Sequence, residues 1–518
     1  MVDSRMLLPI WQTRPGQWDY SHALHLLNRA GFGGTVAEIN ALADMGPQRA
    51  IAQLVRYKSI PNDAMRSMGF GELTGASSDV KGPLARNGQS PVLAQMAQTL
   101  DADQLKALQQ IRQAAQGGRF QELKIWWLDR MVRTKRPLEE KMTLFWHGLF
   151  VTSNVSVKNA YALYQQNELL RANALGNYKA LTLAISKDPA MLEYLNNDQN
   201  RKAHPNENYA RELMELFTMG RDNGYTENDI KESARAFTGW DHVDNQFIFR
   251  PLQHDTDNKT FLGHTGNWDG TDIVNFIFQS PAPARYIAMR LVKFFGVDDD
   301  LPDDVIAAMA AVVKNNNFDI GPTLETLLSS DWFYSHDVMR RQIKSPVQLV
   351  VGALRQLKVS PPDARPIDNS LRLMGQELLS APNVKGWDGG KAWVNTSTLF
   401  ARYNLPAYLV TGRLPAGAKK APATPDQRTQ FSDFESGWNP QIDLADASVS
   451  TSDGLVDMYL KKLIGDPIAK RKRDDLVEFI NGTGDAKTHA FDPVAPDAET
   501  RVRDLVHLIM ALPEYQLC

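Results

Sequence analysis

The residues best suited to chemistry lie between 206 and 220, in the run Asn-Glu-Asn-Tyr-Ala-Arg-Glu-Leu-Met-Glu-Leu-Phe-Thr-Met-Gly. At about 100° per residue, a helix places the polar residues of this run on one face and the apolar residues on the other. Three carboxylates, one guanidinium and one amide share the polar face: Glu207, Asn208, Arg211, Glu212 and Glu215. The spacing therefore predicts an amphipathic helix whose polar face is a candidate functional surface.

Two interpretations fit that surface. Carboxylates that converge on a cleft can transfer protons or bind a divalent cation, which makes Glu207 and Glu212 the candidate catalytic groups and Glu215 a candidate metal ligand. The adjacent polar residues are candidate substrate contacts: Asn206, Asn208 and Arg211. In the alternative interpretation, Glu207, Arg211 and Glu215 are successive i,i+4 neighbours that form the salt ladder of a solvated helix.

Two histidines are further candidates for proton transfer or metal binding. His147 lies in the apolar run Phe-Trp-His-Gly-Leu-Phe near the end of a predicted helix. It is either a base in a dry pocket or a core histidine bonded to a carbonyl. His254 is followed by Asp255 and, four residues later, by Lys259. These three form either a second catalytic or metal-binding group, in which Lys259 holds an anion, or a solvated loop.

A glycine-rich loop with two tryptophans offers a surface for substrate binding. Lys385, Trp387 and Trp393 lie in this loop, and Arg402 follows on a predicted helix. Exposed tryptophan rings bind a sugar ring or a cation, whereas rings that fill the gap between helices are structural. The first interpretation makes all four residues candidate substrate contacts and the two tryptophans a sugar platform.

Composition excludes several classes of protein. The 518 residues include 57 Lys and Arg and 60 Asp and Glu, so no net field favours nucleic acid or an anionic membrane. The sole cysteine is Cys518, which excludes an intramolecular disulfide and a thiolate metal cluster. No apolar run approaches the roughly 20 residues that span a bilayer. No signal peptide is visible, which predicts a cytoplasmic protein unless a targeting segment has been removed.

Helical periodicity dominates the chain and predicts a mainly α fold with a multi-helix globular body. Thr226, with Asp229 three residues later, marks the start of a helix, whereas Gly220 and Gly239 mark helix ends. Between 243 and 270 the Asn, Asp and Gly content rises, which predicts a small β-hairpin or an irregular insert.

Three regions follow from the distribution of turn-forming residues. A main helical domain is predicted over 1–411, with a flexible insertion near 64–90. Residues 412–454 are predicted to be a linker or an insertion, and 455–518 a C-terminal helical unit packed on the main body.

The order of several motifs resembles a bacterial family of unknown function, DUF1800. The resemblance rests on these segments: 27–33, Trp146-His147, 206–213, 224–227, Thr238-Gly239-Trp240, His254-Asp255 and 384–387. It spans nearly the whole chain. Because the polar helix, His147 and His254-Asp255 all fall within these segments, the resemblance implies that they share one site, with Trp240 as a further substrate contact.

The resemblance also bears on function, because members of this family tend to be encoded beside a sulfatase-like family. It therefore implies a sulfatase-like, exported partner. The leading hypothesis is a hydrolase-like enzyme that acts on a glycan or an anionic saccharide through a polar cleft, with a divalent metal as a candidate cofactor. The alternative is a non-catalytic binding or assembly protein that docks the sulfatase-like partner, and a purely structural role is the third.

Overall fold

A computed structural model of the chain describes residues 6–62, 68, 102–359, 365–411, 451–465, 467–482 and 491–518. The prediction of a mainly α fold is confirmed. The helices are α1 Ile10–Thr13, α2 Tyr20–Arg29, α3 Val36–Met45, α4 Pro47–Val55, α5 Ala102–Arg133, α6 Pro137–Leu149, α7 Ala160–Ala172, α8 Tyr178–Ser186, α9 Pro189–Tyr194, α10 Asn208–Glu212, α11 Glu227–Ala236, α12 Gly270–Ile277, α13 Ala282–Phe295, α14 Asp303–Asn315, α15 Ile320–Ser329, α16 Pro346–Leu357, α17 Arg365–Leu373, α18 Thr396–Thr411, α19 Ser452–Leu463, α20 Lys470–Asn481 and α21 Ala498–Ala511.

The predicted insertion near 64–90, apart from residue 68, and residues 412–450 of the predicted linker lie outside the described residues. Helix α19 begins at Ser452, inside the range predicted as linker, because the side chain of Thr451 accepts a hydrogen bond from the backbone of Gly454 and caps the helix.

Local capping residues and glycines set the bounds of the helices around the polar segment. The Thr226 and Asp229 side chains form the predicted capping box at the start of α11. Gly220 adopts φ 89°, a left-handed conformation that ends the preceding helix as predicted. Helix α11 ends at Ala236, three residues before Gly239, where a Cβ atom would lie 2.7 Å from the carbonyl oxygen of Arg250.

The predicted hairpin follows directly. Strands β1 (Trp240–Val243) and β2 (Gln246–Phe249) pair antiparallel. They are joined by Asp244 and Asn245, whose φ angles of 52° and 59° suit a type I′ turn. A second pair, β3 (Lys259–Phe261) and β4 (His264–Gly266), was not predicted; its strands are only three residues long, too short to show alternation.

Two apolar clusters form the core of the described chain. The first is built mainly from α2–α4, α6, α8 and α12–α15, and the second from α5, α7, α16, α18, α19 and α21. Every residue of α16 is buried, and the C-terminal helices α19 and α21 bury their apolar faces in the cluster to which it belongs. Helix α6 contributes Trp146 to the first cluster and Leu144 to the second, so it lies between them.

A buried carboxylate fixes α6 to its neighbours. Glu140 is fully buried and accepts hydrogen bonds from Trp127 (3.1 Å) and Arg130 (2.5 Å) of α5. Arg171 of α7 donates to both of its oxygens, at 2.7 and 3.0 Å. Burial alone would raise the pKa of Glu140, but the two arginines hold it below its usual value. The pair of charge-assisted contacts therefore orients three helices around one ionised group.

We expect Glu140→Gln to lower the free energy of unfolding by about 3–5 kcal/mol, because it removes the buried carboxylate that Arg130 and the buried Arg171 share. The matched control is Glu168→Gln, which also removes a carboxylate from Arg171 but at a side chain that is 40% exposed. That change should cost no more than about 1 kcal/mol. Thermal and urea unfolding of both variants measures the difference; equal losses would contradict the central role of Glu140.

Candidate functional site

The predicted polar helix is interrupted by a wide turn. Helix α10 passes at Leu213 into a π-helical segment, Leu213–Thr218, hereafter the π-turn. The Met219 amide donates to the Met214 carbonyl at 2.8 Å, five residues earlier, and the Thr218 hydroxyl donates to the Leu213 carbonyl at 2.5 Å. Such insertions are frequent at functional sites.

Two tyrosines from other helices stabilise the π-turn. The Tyr178 hydroxyl of α8 donates to the Phe217 carbonyl, and the Tyr286 hydroxyl of α13 donates to the Leu216 carbonyl. A π-helical turn misaligns successive carbonyls with the amides that follow, and the phenols satisfy two of them. Arg290 extends this contact, since it donates to the Tyr286 hydroxyl at 3.2 Å and to the Gly148 carbonyl, at the end of α6, at 3.3 Å.

A groove of about 760 Å³ lies beside the π-turn. Its walls come from the end of α10, the π-turn, the 219–223 loop, α13 and α14. The remaining wall is the glycine-rich loop at 382–393 that carries Trp387 and Trp393, hereafter the tryptophan loop. The residues that line it are Arg211, Glu212, Glu215, Leu216, Met219, Gly220, Arg221, Asp222, Asn223, Arg285, Tyr286, Met289, Ile306, Val384 and Lys385. Four of the predicted site residues therefore meet in one concavity: Arg211, Glu212, Glu215 and Lys385.

The two glutamates in the groove have different surroundings. Glu215 contacts Arg211 at 3.4 Å and Arg221 at 3.7 Å, so its charge is matched. Glu212 is half-buried, and within the described part of the chain it has no hydrogen-bond or ion-pair partner. Burial, reinforced by the neighbouring Glu215, raises the pKa of Glu212, although Arg211 and Lys385 oppose the shift. The pair thus consists of a carboxyl group that holds its proton more tightly and an ion-paired carboxylate.

Arg211 is not available as the predicted substrate contact, because its guanidinium is occupied. It forms two hydrogen bonds to Glu227, at 2.9 and 2.8 Å, and contacts Glu207 at 3.2 Å in addition to Glu215. The salt-ladder interpretation therefore holds for Glu207, which does not line the groove and is no longer a catalytic candidate.

Asn206 and Asn208 stabilise the entry to α10 and do not line the groove. The Asn206 amide donates to the Asn200 side chain at 2.9 Å, and the Asn206 side chain accepts from the Asn208 amide at 2.9 Å. The Asn208 side chain donates to the Leu195 carbonyl at 3.2 Å. Their prediction as substrate contacts is wrong for this groove, because their polar groups bind the protein's own loops.

His147 is buried rather than exposed to a substrate. It is 1% exposed, between the rings of Trp127 and Trp387, whose centroids lie 5.2 and 5.6 Å from its own. Its Nε2 atom has no hydrogen-bond partner in the described structure, and burial lowers its pKa to about 4. The catalytic assignment of His147 is therefore wrong for the groove, since neither ring nitrogen is accessible from it.

The second histidine group is a closed structural network. His254 is 7% exposed, and its Nδ1 atom lies 2.8 Å from the Thr238 carbonyl. Both oxygens of Asp255 accept from Arg235 of α11, at 2.7 and 3.2 Å. Lys259 is fully buried and donates to the backbone carbonyls of residues 255 and 257. These contacts attach the second β-hairpin to α11, so the predicted catalytic and anion-binding roles are not supported.

The tryptophans also have structural positions. Trp240 is 2% and Trp393 7% exposed, so neither ring offers a face to a ligand. Trp387 is half-buried against His147 and does not line the groove. Arg402 is fully buried and donates to the carbonyls of Trp393 and residue 344, at 3.1 and 2.7 Å. The prediction of a sugar platform is therefore not supported, and Val384 and Lys385 are the residues of the tryptophan loop that line the groove.

Several groove residues were not predicted. Arg221 follows Gly220 directly and could have been included, because a loop just after a polar helix end shares its surroundings. Arg285, Tyr286 and Met289 of α13 lie about 65 to 80 positions from the polar helix, and their pattern is that of an ordinary amphipathic helix. No local signal identified them.

The part of the chain that the structure describes does not offer a metal centre. Among the described residues, no group of three or more His, Cys, Asp or Glu side chains could hold an ion. Glu215, the candidate ligand, is instead paired with two arginines. None of the described helices combines the length and hydropathy that a bilayer crossing requires.

We expect the stability of the protein to fall as pH decreases from about 6.5 to 4, in part because of His147. In this window the unfolded chain binds a proton at His147 that the folded chain excludes, since burial holds the folded pKa at about 4. This group contributes a slope of up to about 1.4 kcal/mol per pH unit. His147→Phe should flatten the dependence measured by thermal unfolding, whereas His336→Asn, at an exposed site, should not.

We also expect Glu212 to titrate above its usual value of 4.5. The ε-methyl NMR signals of Met219 and Met289, which line the same groove, should follow this titration. Glu212→Gln should abolish that step and Glu207→Gln should preserve it, with Met→Leu variants giving the assignments. A midpoint at or below 4.5, or a step that survives Glu212→Gln, would contradict the assignment.

Comparison with known proteins places the chain in a family but adds no mechanism. A family model described as a protein of unknown function (DUF1800) matches residues 25–517. No curated protein and no solved structure matches the chain. Because the match covers nearly the whole sequence and agrees with the order of motifs, the chain belongs to the DUF1800 family of proteins of unknown function.

Proposed function

We propose that the protein is a hydrolase that cleaves a glycan, in particular an anionic saccharide, in the groove beside the π-turn. The observation that carries this proposal is the contrast between the two groove glutamates. Glu212 has a raised pKa and no partner among the described residues, and Glu215 is ion-paired three positions away. Hydrolysis of a glycosidic bond requires one carboxyl group that donates a proton and a second, ionised one that acts as base or nucleophile.

In the proposed reaction, Glu212 donates its proton to the oxygen of the bond that breaks. Glu215 accepts a proton from the water that attacks the anomeric carbon, and its carboxylate contacts Arg211 and Arg221. In this reaction the two side chains of the protein supply both the acid and the base. The roles first given to Glu207, His147, His254 and Asp255 are not retained.

Three cations support an anionic substrate. Arg221 and Lys385 are exposed at the groove, and Arg285 is paired with Asp303, whose side chain is 80% exposed. Ion pairs at such exposure are weak and exchange readily for a ligand that also fills the groove. Lys385 has no ion-pair partner among the described residues, so it is the cation most available to a carboxylate or sulfate group.

A second candidate is the docking of a sulfatase-like partner, which the family resemblance first suggested. The observation in its favour is the exposure of two large apolar side chains at the end of the first hairpin, Phe249 (45%) and Leu252 (88%). Apolar side chains grouped in this way are common at protein interfaces. This surface lies outside the groove-lining residues, so the two functions are separable.

The test of the hydrolase proposal is the release of reducing ends from polyuronates, sulfated glycosaminoglycans and neutral glucans. We expect cleavage of an anionic member, reduced at least about 100-fold by Glu212→Gln because proton donation is lost. Glu207→Gln makes the same change on the same helix outside the groove and should alter the rate by no more than a few-fold. Absence of cleavage both of every anionic polymer and of an alkyl glycoside of an anionic sugar would overturn the hydrolase and favour docking.

A further inference from the structure

The floor of the groove is aliphatic. Leu216, Met289 and Val384 are half-buried side chains that line it, and Met219 and Ile306 lie beneath them at 1% and 4% exposure. Among the described residues that line the groove there is no tryptophan or phenylalanine, so the aromatic face on which a sugar ring would stack is limited to the nearly buried Tyr286. A sugar alone would therefore leave this floor without a complementary surface.

Methionine side chains suit a flexible aliphatic ligand better than a rigid one. The thioether of Met289 has three rotatable bonds and adapts to the shape of its contact. Because apolar surface gains free energy when it is covered, a ligand with an alkyl portion would bind more tightly than one without. The aliphatic floor therefore favours a ligand that carries a chain of methylene groups.

The cations lie on the same groove. Lys385 adjoins Val384, and Arg285 lies one turn before Met289 on α13. A ligand that covers the floor therefore brings its polar end within reach of positive charge. Both requirements, an aliphatic portion and an anionic group, are met by a single class of molecule.

We infer that the substrate is an amphiphile: an anionic sugar linked through its glycosidic oxygen to an aliphatic alcohol. This inference rests on the proposed function and specifies its substrate. Hydrolysis breaks the bond between the anomeric carbon and that oxygen, to which Glu212 gives its proton. The oxygen of water bonds to the anomeric carbon and its proton passes to Glu215. The products are the free anionic sugar and the aliphatic alcohol.

Three matched probes test the inference, each below its micelle concentration. Octyl β-D-glucuronide carries both features, octyl β-D-glucoside lacks the charge, and methyl β-D-glucuronide lacks the chain. Binding is followed by the shift of the Met289 ε-methyl NMR signal and by thermal stabilisation. We expect the octyl glucuronide to bind at least about tenfold more tightly than either of the other probes.

Two variants separate the contribution of the alkyl chain to binding from that of the anionic charge. Met289→Gln should remove most of the preference for the octyl over the methyl glucuronide, and Lys385→Gln most of the preference for the octyl glucuronide over the octyl glucoside. For Met289→Gln, binding is measured by thermal stabilisation, because this variant lacks the ε-methyl group whose NMR signal reports binding. Leu373→Gln, at a side chain 51% exposed outside the groove, should change neither preference.

The outcomes distinguish this inference from the hydrolase proposal. Equal binding and cleavage of methyl and octyl glucuronides would overturn the inference and leave the hydrolase intact. Selective binding of the octyl glucuronide without release of octanol would support the ligand class and overturn the hydrolysis. Absence of binding by all three probes would overturn the inference.

Discussion

The position of α6 depends on a charge that has no access to solvent. Glu140 gathers two arginines and a tryptophan from α5 and α7, and the helix that carries it lies between the two apolar clusters. Isolated buried charges are costly, so this geometry is stable only when all the partners are in place. The last turn of the same helix accepts a hydrogen bond from Arg290 and so reaches the wall of the groove. Core electrostatics and groove geometry are therefore connected through one helix.

The π-turn converts that scaffold into a site. In a regular α-helix, Glu212 and Glu215 would be ordinary i,i+3 neighbours on the solvated face of a salt ladder. The extra residue in the turn is stabilised by two phenols, from α8 and α13, and the groove opens beside it. The two carboxyl groups therefore differ: Glu215 contacts two arginines, whereas Glu212 lines the groove and has no partner in the described part of the chain.

The sequence was sufficient to predict the features that depend on residues close together in the chain. Thr226 and Asp229 are three residues apart and form their capping box without help from the rest of the chain. The amphipathic character of the 206–220 segment was equally local. The π-turn was not predictable, because the hydroxyls that satisfy its carbonyls come from residues 39 and 70 positions away. His147 shows the same limit: its apolar neighbours indicate a dry environment, yet whether that environment is a pocket or the core depends on Trp127 and Trp387, which are distant in sequence.

The contact between Gly386 and the end of α6 separates the position of a loop from its recognition chemistry. Gly386 has φ 84°, and a Cβ atom there would lie 2.8 Å from the Gly148 carbonyl oxygen, so at this point the main chain of the loop lies directly against the main chain of α6. The adjacent position 385 projects into the groove while its backbone is held by that glycine. A substitution at 385 would therefore change the charge presented to a ligand without removing the contact that positions the loop. The glycine determines where the loop lies, and the lysine beside it determines which ligand charge the loop attracts.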